Sequence, residues 1–321
     1  MTMATPRAAL FGILCMIGAA LFGTTLDVAT KFLSSGYALH QIILIRTIIA
    51  LAAMIGIAWA QDGDFRQFRT TRVRAHLLRT LIVLLSNLCF FTGLAALPLA
   101  DGMAIAFVAP LFITAASALF LKEPVGPHRW GAVVAGLIGV VVMLRPGSGA
   151  LQPAALLIVT SSLCYAASAL MGRQMRDTES SVTLNIYLHL AFFVTSAAMG
   201  LFAGDGRFMG APDGLFAFLF RPWVWPAAAD WPVLILVGVC IALAGLLVSQ
   251  AYRLAEAALI APFEYLSMPL AIAAGVVVFG TWPDHTAWAG ITLICGAGLY
   301  VLWREMRHHA VKDPALPLGE P

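Results

Sequence analysis

Ten long runs of apolar residues limit what this chain can fold into. A helix crosses the roughly 30 Å core of a bilayer with about 20 predominantly apolar residues, and each run is near that length. The runs are 8–32, 39–60, 77–96, 100–121, 130–145, 154–173, 181–202, 232–253, 257–279 and 286–303. Because backbone groups in lipid must bond within their own segment, the runs predict ten transmembrane helices in an all-α integral membrane protein.

The composition supports this fold class and excludes most soluble functions. Hydrophobic residues make up 61% of the chain and charged residues 11%, whereas about 25% of the residues of soluble domains are charged. The five cysteines fall singly in apolar runs, without the spacing of a metal site. We therefore expect no metal and no cofactor, a lipid bilayer as partner, and no nucleic acid.

Basic residues orient the ten spans. Most arginines and lysines fall in the loops on one side of the predicted membrane, and Arg46 alone lies well within a span. The positive-inside rule assigns the basic loops to the cytoplasm, which leaves both termini inside.

The two halves of the chain look alike. A shift of 159 positions lays 97–124 over 256–283 without a gap and places Pro110 over Pro269. A repeat of five spans is an odd number, so the second copy must insert upside down, as in many secondary transporters. We therefore predict one repeat at 1–147 and a second at 148–303.

Two segments fall outside this repeat. The segment at about 204–231 interrupts the regular spacing, and its Trp223, Trp225 and Trp231 suit the outer membrane interface, although a variable loop is the alternative. The polar cytoplasmic tail, 304–321, is expected to lack fixed structure.

Asp27 and Lys31 lie one helical turn apart in the outer part of the first span, where burial of a charge is costly. Arg46 enters the second span from outside and lies roughly 9 Å deep. We expect an Asp27–Arg46 pair at the outer wall of a cavity, with Lys31 joining it or extending to the interface. The pair either clamps the two spans together, or Asp27 exchanges a proton or a cationic group while Arg46 holds a substrate anion.

Glu264 is the second acid within a span, and prolines flank it. Pro262 and Pro269 each remove a backbone hydrogen bond and tend to kink the ninth span. Such breaks are tolerated where they line a cavity, so we expect Glu264 and Tyr265 to line one. With Pro110, these prolines are candidate hinges.

Other polar residues within spans are candidates for substrate contact or coupling. His189 can titrate near neutral pH and relay a proton, or simply bond a neighbouring helix. The further candidates are Asn87, Tyr165, Asn185 and Gln250.

The chain resembles a known family, the ten-helix EamA-type branch of the drug/metabolite transporter superfamily. The segments that carry the resemblance are LPLADGMAIAFVAPLFITAASALFLKEP (97–124), VVVMLRPG (140–147), APFEYLSMPL (261–270), AGITLICGAGLYVL (289–302), DVATKFL (27–33) and LIRT (44–47). The last two resemble the part of the branch that includes riboflavin and S-adenosylmethionine importers.

This resemblance implies two inverted five-helix repeats around a central cavity, in a bacterial inner membrane. The cavity opens alternately to each side, and the fifth and tenth helices lie apart from it. In the fifth span, Gly131, Ala135 and Gly139 form a small-residue stripe that suits close helix packing.

Secondary transport of a small organic metabolite is the function that these features favour. An integral-membrane enzyme or a receptor is the rival class, but the chain has neither an HExxH pair nor a phosphate-binding GxxxxGK[ST] loop. Uptake of a vitamin or S-adenosylmethionine-like cargo is the first hypothesis, and export of amino acids or related metabolites is the alternative. Coupling to protons and assembly into a homodimer are left open.

Overall fold

The computed structural model describes residues 6–62, 70, 72–122, 125–145, 153–175, 181–211, 214–254 and 257–312, which form helices and connecting turns. The helices are α1 (Pro6–Leu33), α2 (Leu39–Asp62), α3 (Val73–Ala96), α4 (Leu99–Ala106), α5 (Ala109–Phe120), α6 (Pro127–Leu144), α7 (Pro153–Met175), α8 (Ser181–Ala203), α9 (Ala217–Phe220), α10 (Trp231–Leu254), α11 (Ala257–Ile260), α12 (Ser267–Phe279) and α13 (His285–Lys312). A 3₁₀ segment, Ala261–Leu266, joins α11 to α12.

Ten helical spans account for the ten apolar runs. Within the described residues, nine segments are long and apolar enough to cross a bilayer, and Phe263–Phe279 is a shorter apolar helix in the ninth position. The all-α membrane architecture is therefore confirmed. The tail differs from expectation, because 304–312 continues α13 as helix; 313–321 lies outside the described residues.

The fourth and ninth spans are both interrupted, at positions that the repeat register makes equivalent. The fourth span turns at Phe107 and Val108, between α4 and α5. A shift of 159 positions places this turn over Leu266 and Ser267, where the 3₁₀ segment gives way to α12. Pro110 lies in the first turn of α5. Backbone N–H groups in the first turn have no partner within the helix, so the missing N–H of proline costs no helical hydrogen bond there.

The helices pack in pairs. The first span (α1) packs on the eighth (α10), and the third (α3) packs on the sixth (α7). The second packs on the seventh (α2 on α8), the fourth on the ninth (α4 on α12) and the fifth on the tenth (α6 on α13). In two repeats of five spans, each span of the first half corresponds to the span five places later. This correspondence turns the pair of spans one and eight into the pair of spans six and three, and it leaves the other three pairs unchanged. This is the pairing expected of two repeats related by a two-fold axis.

Two glycines allow α6 and α13 to cross closely. A Cβ on Gly139 would lie 2.8 Å from Ile294, and a Cβ on Gly290 would lie 2.2 Å from Met143. Only part of the small-residue stripe predicted on α6 therefore contacts another helix. Gly139 lies at the crossing with α13, whereas a Cβ on Gly131 would meet no atom within 4 Å.

Candidate functional site

Arg46 is buried in the outer half of the bundle, with 1% of its surface exposed. Its Nη2 donates a hydrogen bond of 2.8 Å to Oδ1 of Asn87 on α3. The guanidinium carbon lies 5.1 Å from the ring centre of Phe91 and 5.9 Å from that of Phe192. Nε and Nη1 are buried without an acceptor among the described residues. An acceptor that reached them would satisfy donors that the fold leaves open.

Asp27 lies near Arg46 but does not pair with it directly. Their charges interact, yet no ion pair within 4.0 Å joins these two described residues. The expected pair is therefore wrong in this conformation. The reason is that the Asn87 amide and two aromatic faces hold the guanidinium, while the Asp27 side chain stays partly exposed.

Lys31 does not join the Arg46 site. Its Nζ donates to the carbonyl oxygens of Leu94 and Leu97 at 2.6 Å each and to that of Ala95 at 3.3 Å. It also lies 5.6 Å from the ring centre of Phe279. These carbonyls belong to the end of α3, where the helix leaves acceptors unfilled and the dipole favours a cation. Lys31 therefore caps α3 instead of joining Arg46.

A second polar cluster lies in the other half of the bundle. Glu264, in the 3₁₀ segment, is exposed and accepts a hydrogen bond from the hydroxyl of Tyr252 on α10. Tyr165 on α7 is 55% exposed and lies within electrostatic range of Glu264 and of Arg79 on α3. Sequence reasoning counted Arg79 only as an orienting charge. The signal that it missed is that Arg79 lies two turns into α3, away from the loop that precedes the helix.

The side chain of Tyr265 points away from the polar cluster that its neighbour Glu264 joins. Its ring stacks on Phe107 at the break in the fourth span, with ring centres 5.2 Å apart and an interplanar angle of 23°. A Cβ on Gly298 of α13 would lie 1.9 Å from the Tyr265 hydroxyl, so this glycine makes room for it. Tyr265 thus packs between the fourth, ninth and tenth spans, and only Glu264 of the two reaches the polar cluster.

The remaining candidates lie on α8 and α10. Nδ1 of His189 lies 2.9 Å from the backbone oxygen of Asn185, and His189 is also within electrostatic range of Arg46. Asn185 and Gln250 are exposed side chains. The structure thus brings Asp27, Arg46, Asn87 and His189 to one region, and Tyr165 and Glu264 to another.

The segment 214–230, which we call the outer strap, crosses the end of the bundle where α1 meets α2. Trp223 fits against Gly200 of α8 and stacks on His40, with ring centres 5.6 Å apart. Trp223 thus packs against protein, whereas Trp225 is 86% exposed. Nε2 of Gln41 donates to the carbonyl oxygen of Val224 at 2.6 Å.

Polar bonds also fasten the strap to the α1–α2 turn. Nη1 of Arg221 donates to the carbonyl oxygen of Ser34 at 2.5 Å. The Tyr37 hydroxyl donates to the Asp230 carboxylate at 2.5 Å, and this bond raises the pKa of Tyr37 because it favours the neutral phenol. The outer strap, which is part of the loop between the seventh and eighth spans, is therefore fastened to the turn between the first and second spans.

The two ends of the bundle differ in closure. On the strap side, residues of α4 and of the α1–α2 turn are almost fully buried: Leu33, Tyr37, Ala38, Leu39, Leu99, Ala100, Ala104 and Ile105. Toward the other side, Tyr165, Tyr252 and Glu264 are exposed, and so are Leu119 and Phe120 at the end of α5. The predicted external end therefore contains a cluster of nearly fully buried residues, whereas the polar side chains of Tyr165, Tyr252 and Glu264 toward the opposite end are exposed.

No group of three His, Cys, Asp or Glu side chains that could hold a metal ion occurs within the described residues.

Comparison with known proteins identifies the family. The model of the EamA-like transporter family matches residues 10–145. A riboflavin transporter of Rhizobium johnstonii is 30% identical over 302 residues, which is 94% of each chain. An S-adenosylmethionine uptake transporter of Rickettsia felis is 21% identical over 281 residues, 88% of each chain.

A solved crystal structure has the same fold. Its TM-score is 0.61 at 19% identity, and the match covers 92% of this chain and 98% of that one. Family model, relatives and fold agree with the resemblance drawn from the sequence. The chain belongs to the EamA-like transporters of the drug/metabolite transporter superfamily, and it is a multi-pass membrane transporter of a small metabolite, not an enzyme.

Proposed function

We propose that this protein takes up a riboflavin-like vitamin across the bacterial inner membrane by alternating access. The observation that carries the proposal is the similarity to a riboflavin transporter along 94% of the chain. The relative named for S-adenosylmethionine uptake is less similar, at 21% identity. S-adenosylmethionine is therefore the second candidate cargo, and export of amino acids is the third.

Arg46 and Asp27 are the proposed polar contacts in the outer half. The two open donors of Arg46 match the carbonyl and hydroxyl oxygens of such a cargo, and the Asn87 bond fixes the guanidinium plane. Asp27 is the proposed proton-exchanging group, because it is an acid within a membrane span and interacts with the charge of Arg46. Loss of the Arg46 charge should then weaken cargo binding, and loss of the Asp27 charge should remove the response to a proton gradient.

The interrupted spans are the proposed moving parts. Both breaks lie beside a proline, Pro110 in the fourth span and Pro262 and Pro269 in the ninth. The stack of Phe107 on Tyr265 joins the two breaks near mid-depth. Rotation about them would open the strap side while closing the other side, as inverted repeats allow.

Uptake in whole cells tests the proposal. A bacterial strain that can neither make nor import riboflavin should grow on low riboflavin and accumulate the labelled vitamin when it expresses this protein. Arg46→Gln should abolish uptake while the protein is still present in the membrane. Failure of the wild-type protein to accumulate riboflavin, with accumulation of S-adenosylmethionine or efflux of amino acids instead, would overturn the cargo assignment.

An uncoupler tests proton coupling. Proton-coupled uptake should collapse with the proton gradient, and Asp27→Asn uptake should be slow with or without the uncoupler. Uptake that persists unchanged in uncoupled cells would indicate a facilitator, with Asp27 in a structural role.

The predicted topology is part of the proposal. Reporter fusions after residue 303 should report a cytoplasmic C-terminus, and fusions within the outer strap should report an external location. Fusions at the predicted repeat boundary, between 147 and 148, should also report outside, because an odd number of spans precedes it. Light scattering of the detergent-purified protein tests the homodimer.

A further inference from the structure

Three side chains from three different spans approach one another in the accessible half of the bundle. The Tyr252 hydroxyl donates to Oε1 of Glu264, so the eighth and ninth spans are linked. Tyr165, on the sixth span, lies within electrostatic range of both. All three are exposed, with 55% of Tyr165 and 40% of Tyr252 accessible.

The two tyrosines come from helices that pack on different neighbours. Of the helices that carry the tyrosines, α7 packs on α3, α4, α5 and α6, while α10 packs on α1 and α2. Lipid-facing residues on such separated helices would point away from one another. Polar groups that interact between such helices, and are still exposed, are positioned to line a gap that a ligand can enter.

The chemistry of this cavity wall is specific. Two phenol rings offer apolar faces, which stack on flat aromatic ligands. Glu264 uses Oε1 for the Tyr252 hydroxyl, which leaves Oε2 to accept a further hydrogen bond. A carboxylate acceptor beside aromatic faces suits a flat heterocycle that carries an N–H group on its edge.

We propose that Tyr165, Tyr252 and Glu264 form a slot for the flat ring of the cargo, in which the tyrosines stack on the ring and Glu264 accepts a hydrogen bond from a ring N–H. The slot rests on the proposed function, because the isoalloxazine ring of riboflavin is flat and has one such N–H between two carbonyls. It assigns the ring to the accessible half and leaves the sugar-like tail for the outer half, toward Arg46.

Binding to the detergent-purified protein tests the slot. Flavin fluorescence is the readout, since stacking on tyrosine quenches it. Tyr165→Ala should weaken riboflavin binding roughly tenfold or more, because stacking on an aromatic side chain is worth about that much. Tyr165→Phe keeps the ring and should bind within about threefold of wild type. Tyr300→Ala, on the helix pair away from the cavity, is the matched control and should bind like wild type.

A methylated ligand tests the role of Glu264. Riboflavin methylated at the ring N–H cannot donate to a carboxylate, so it should bind wild type about tenfold more weakly. Glu264→Leu, which removes the acceptor, should weaken riboflavin binding by a similar factor but change binding of the methylated ligand little. Equal losses for both ligands would show that Glu264 does not meet the ring N–H and would overturn its role.

The outcomes separate the slot from the cargo. If wild type binds riboflavin and both alanine variants, Tyr165→Ala and Tyr252→Ala, bind it equally well, the slot is wrong while the proposed function stands. If wild type binds lumichrome or uracil but not riboflavin, and Tyr165→Ala loses that binding, the slot stands and the riboflavin assignment falls. If no flat heterocycle binds, the slot is overturned.

Discussion

Replacement of Lys31 with methionine should destabilise the fold without touching the cargo site. The substitution removes two hydrogen bonds of 2.6 Å and one of 3.3 Å to carbonyls at the end of α3. A bond to a charged group contributes about 1.5–3 kcal/mol, so two strong bonds amount to about 3–6 kcal/mol. Relief of the half-buried ammonium offsets part of this, and side-chain bonds between membrane helices average only about 0.6 kcal/mol. We therefore expect a net loss of about 2–4 kcal/mol.

Thermal unfolding in detergent measures this loss. At about 2–4 °C per kcal/mol, the midpoint should fall by about 4–16 °C. Scans are compared at one fixed rate, because unfolding of large proteins is often irreversible. Lys122→Met changes an exposed lysine in the loop after α5 and should leave the midpoint unchanged. Lys31→Arg should recover most of the stability. A Lys31→Met protein with the wild-type midpoint but impaired cargo binding would refute the capping role.

Three further substitutions test the packing, the surface and the strap. Gly290→Leu should lower the unfolding midpoint markedly, because even its Cβ would lie 2.2 Å from Met143; an unchanged midpoint would contradict the close crossing of α6 and α13. Asp284→Asn should cost less than about 1 kcal/mol at neutral pH, as for exposed ion pairs. The pKa of Asp284 is lowered by a backbone N–H of the next helical turn and by a neighbouring arginine, so its stabilising effect should vanish as the pH falls below about 4. Midpoints of wild type and variant at pH 7 and pH 3 check this. Gln41→Leu removes the hydrogen bond to the Val224 carbonyl oxygen in the outer strap. A cysteine introduced at Met103 should then be labelled more readily from outside. Unchanged labelling would show that this bond does not help the outer strap to limit access to Met103.

The spans and their interruptions follow from the sequence because both depend on local features. Twenty apolar residues suffice to set a transmembrane helix, whatever its neighbours are. The register of Pro110 with Pro269 identifies where the fourth and ninth spans are weakened, and the structure interrupts both within a few residues of these prolines. The resemblance to the family was also carried by contiguous segments, and the comparisons confirm it.

The partners of the buried charges do not follow from the sequence. Helical spacing places Asp27 and Lys31 on one face, but it does not reveal which helix packs against that face. Lys31 reaches carbonyls more than 60 residues away, and Arg46 reaches Asn87, 41 residues away. Such choices depend on helix pairing, which a single sequence does not encode in any local pattern.

The side chains of the neighbouring residues Glu264 and Tyr265 point in different directions for a geometric reason. Successive side chains on a 3₁₀ helix, with three residues per turn, point about 120° apart. Glu264 and Tyr265 therefore cannot face the same gap, and the structure turns one toward Tyr252 and the other toward Phe107. The expectation that both line the cavity overlooked this rotation.

The unfilled hydrogen-bond donors of Arg46 affect the equilibrium between the conformations of the transport cycle. Burial of a guanidinium with unfilled donors costs several kcal/mol, and the Asn87 bond and two aromatic faces offset only part of that cost. A conformation in which cargo or Asp27 reaches Arg46 therefore gains contacts that this one lacks, and a ligand shifts a conformational equilibrium only through such a difference. Arg46→Met should thus make the closed-outside conformation at least as stable as in wild type, since an apolar side chain replaces a poorly satisfied charge, while uptake is lost. A raised or equal unfolding midpoint with no uptake is the expected result. A strong loss of stability would mean instead that Arg46 clamps the first three spans, and that its charge serves the fold before it serves the cargo.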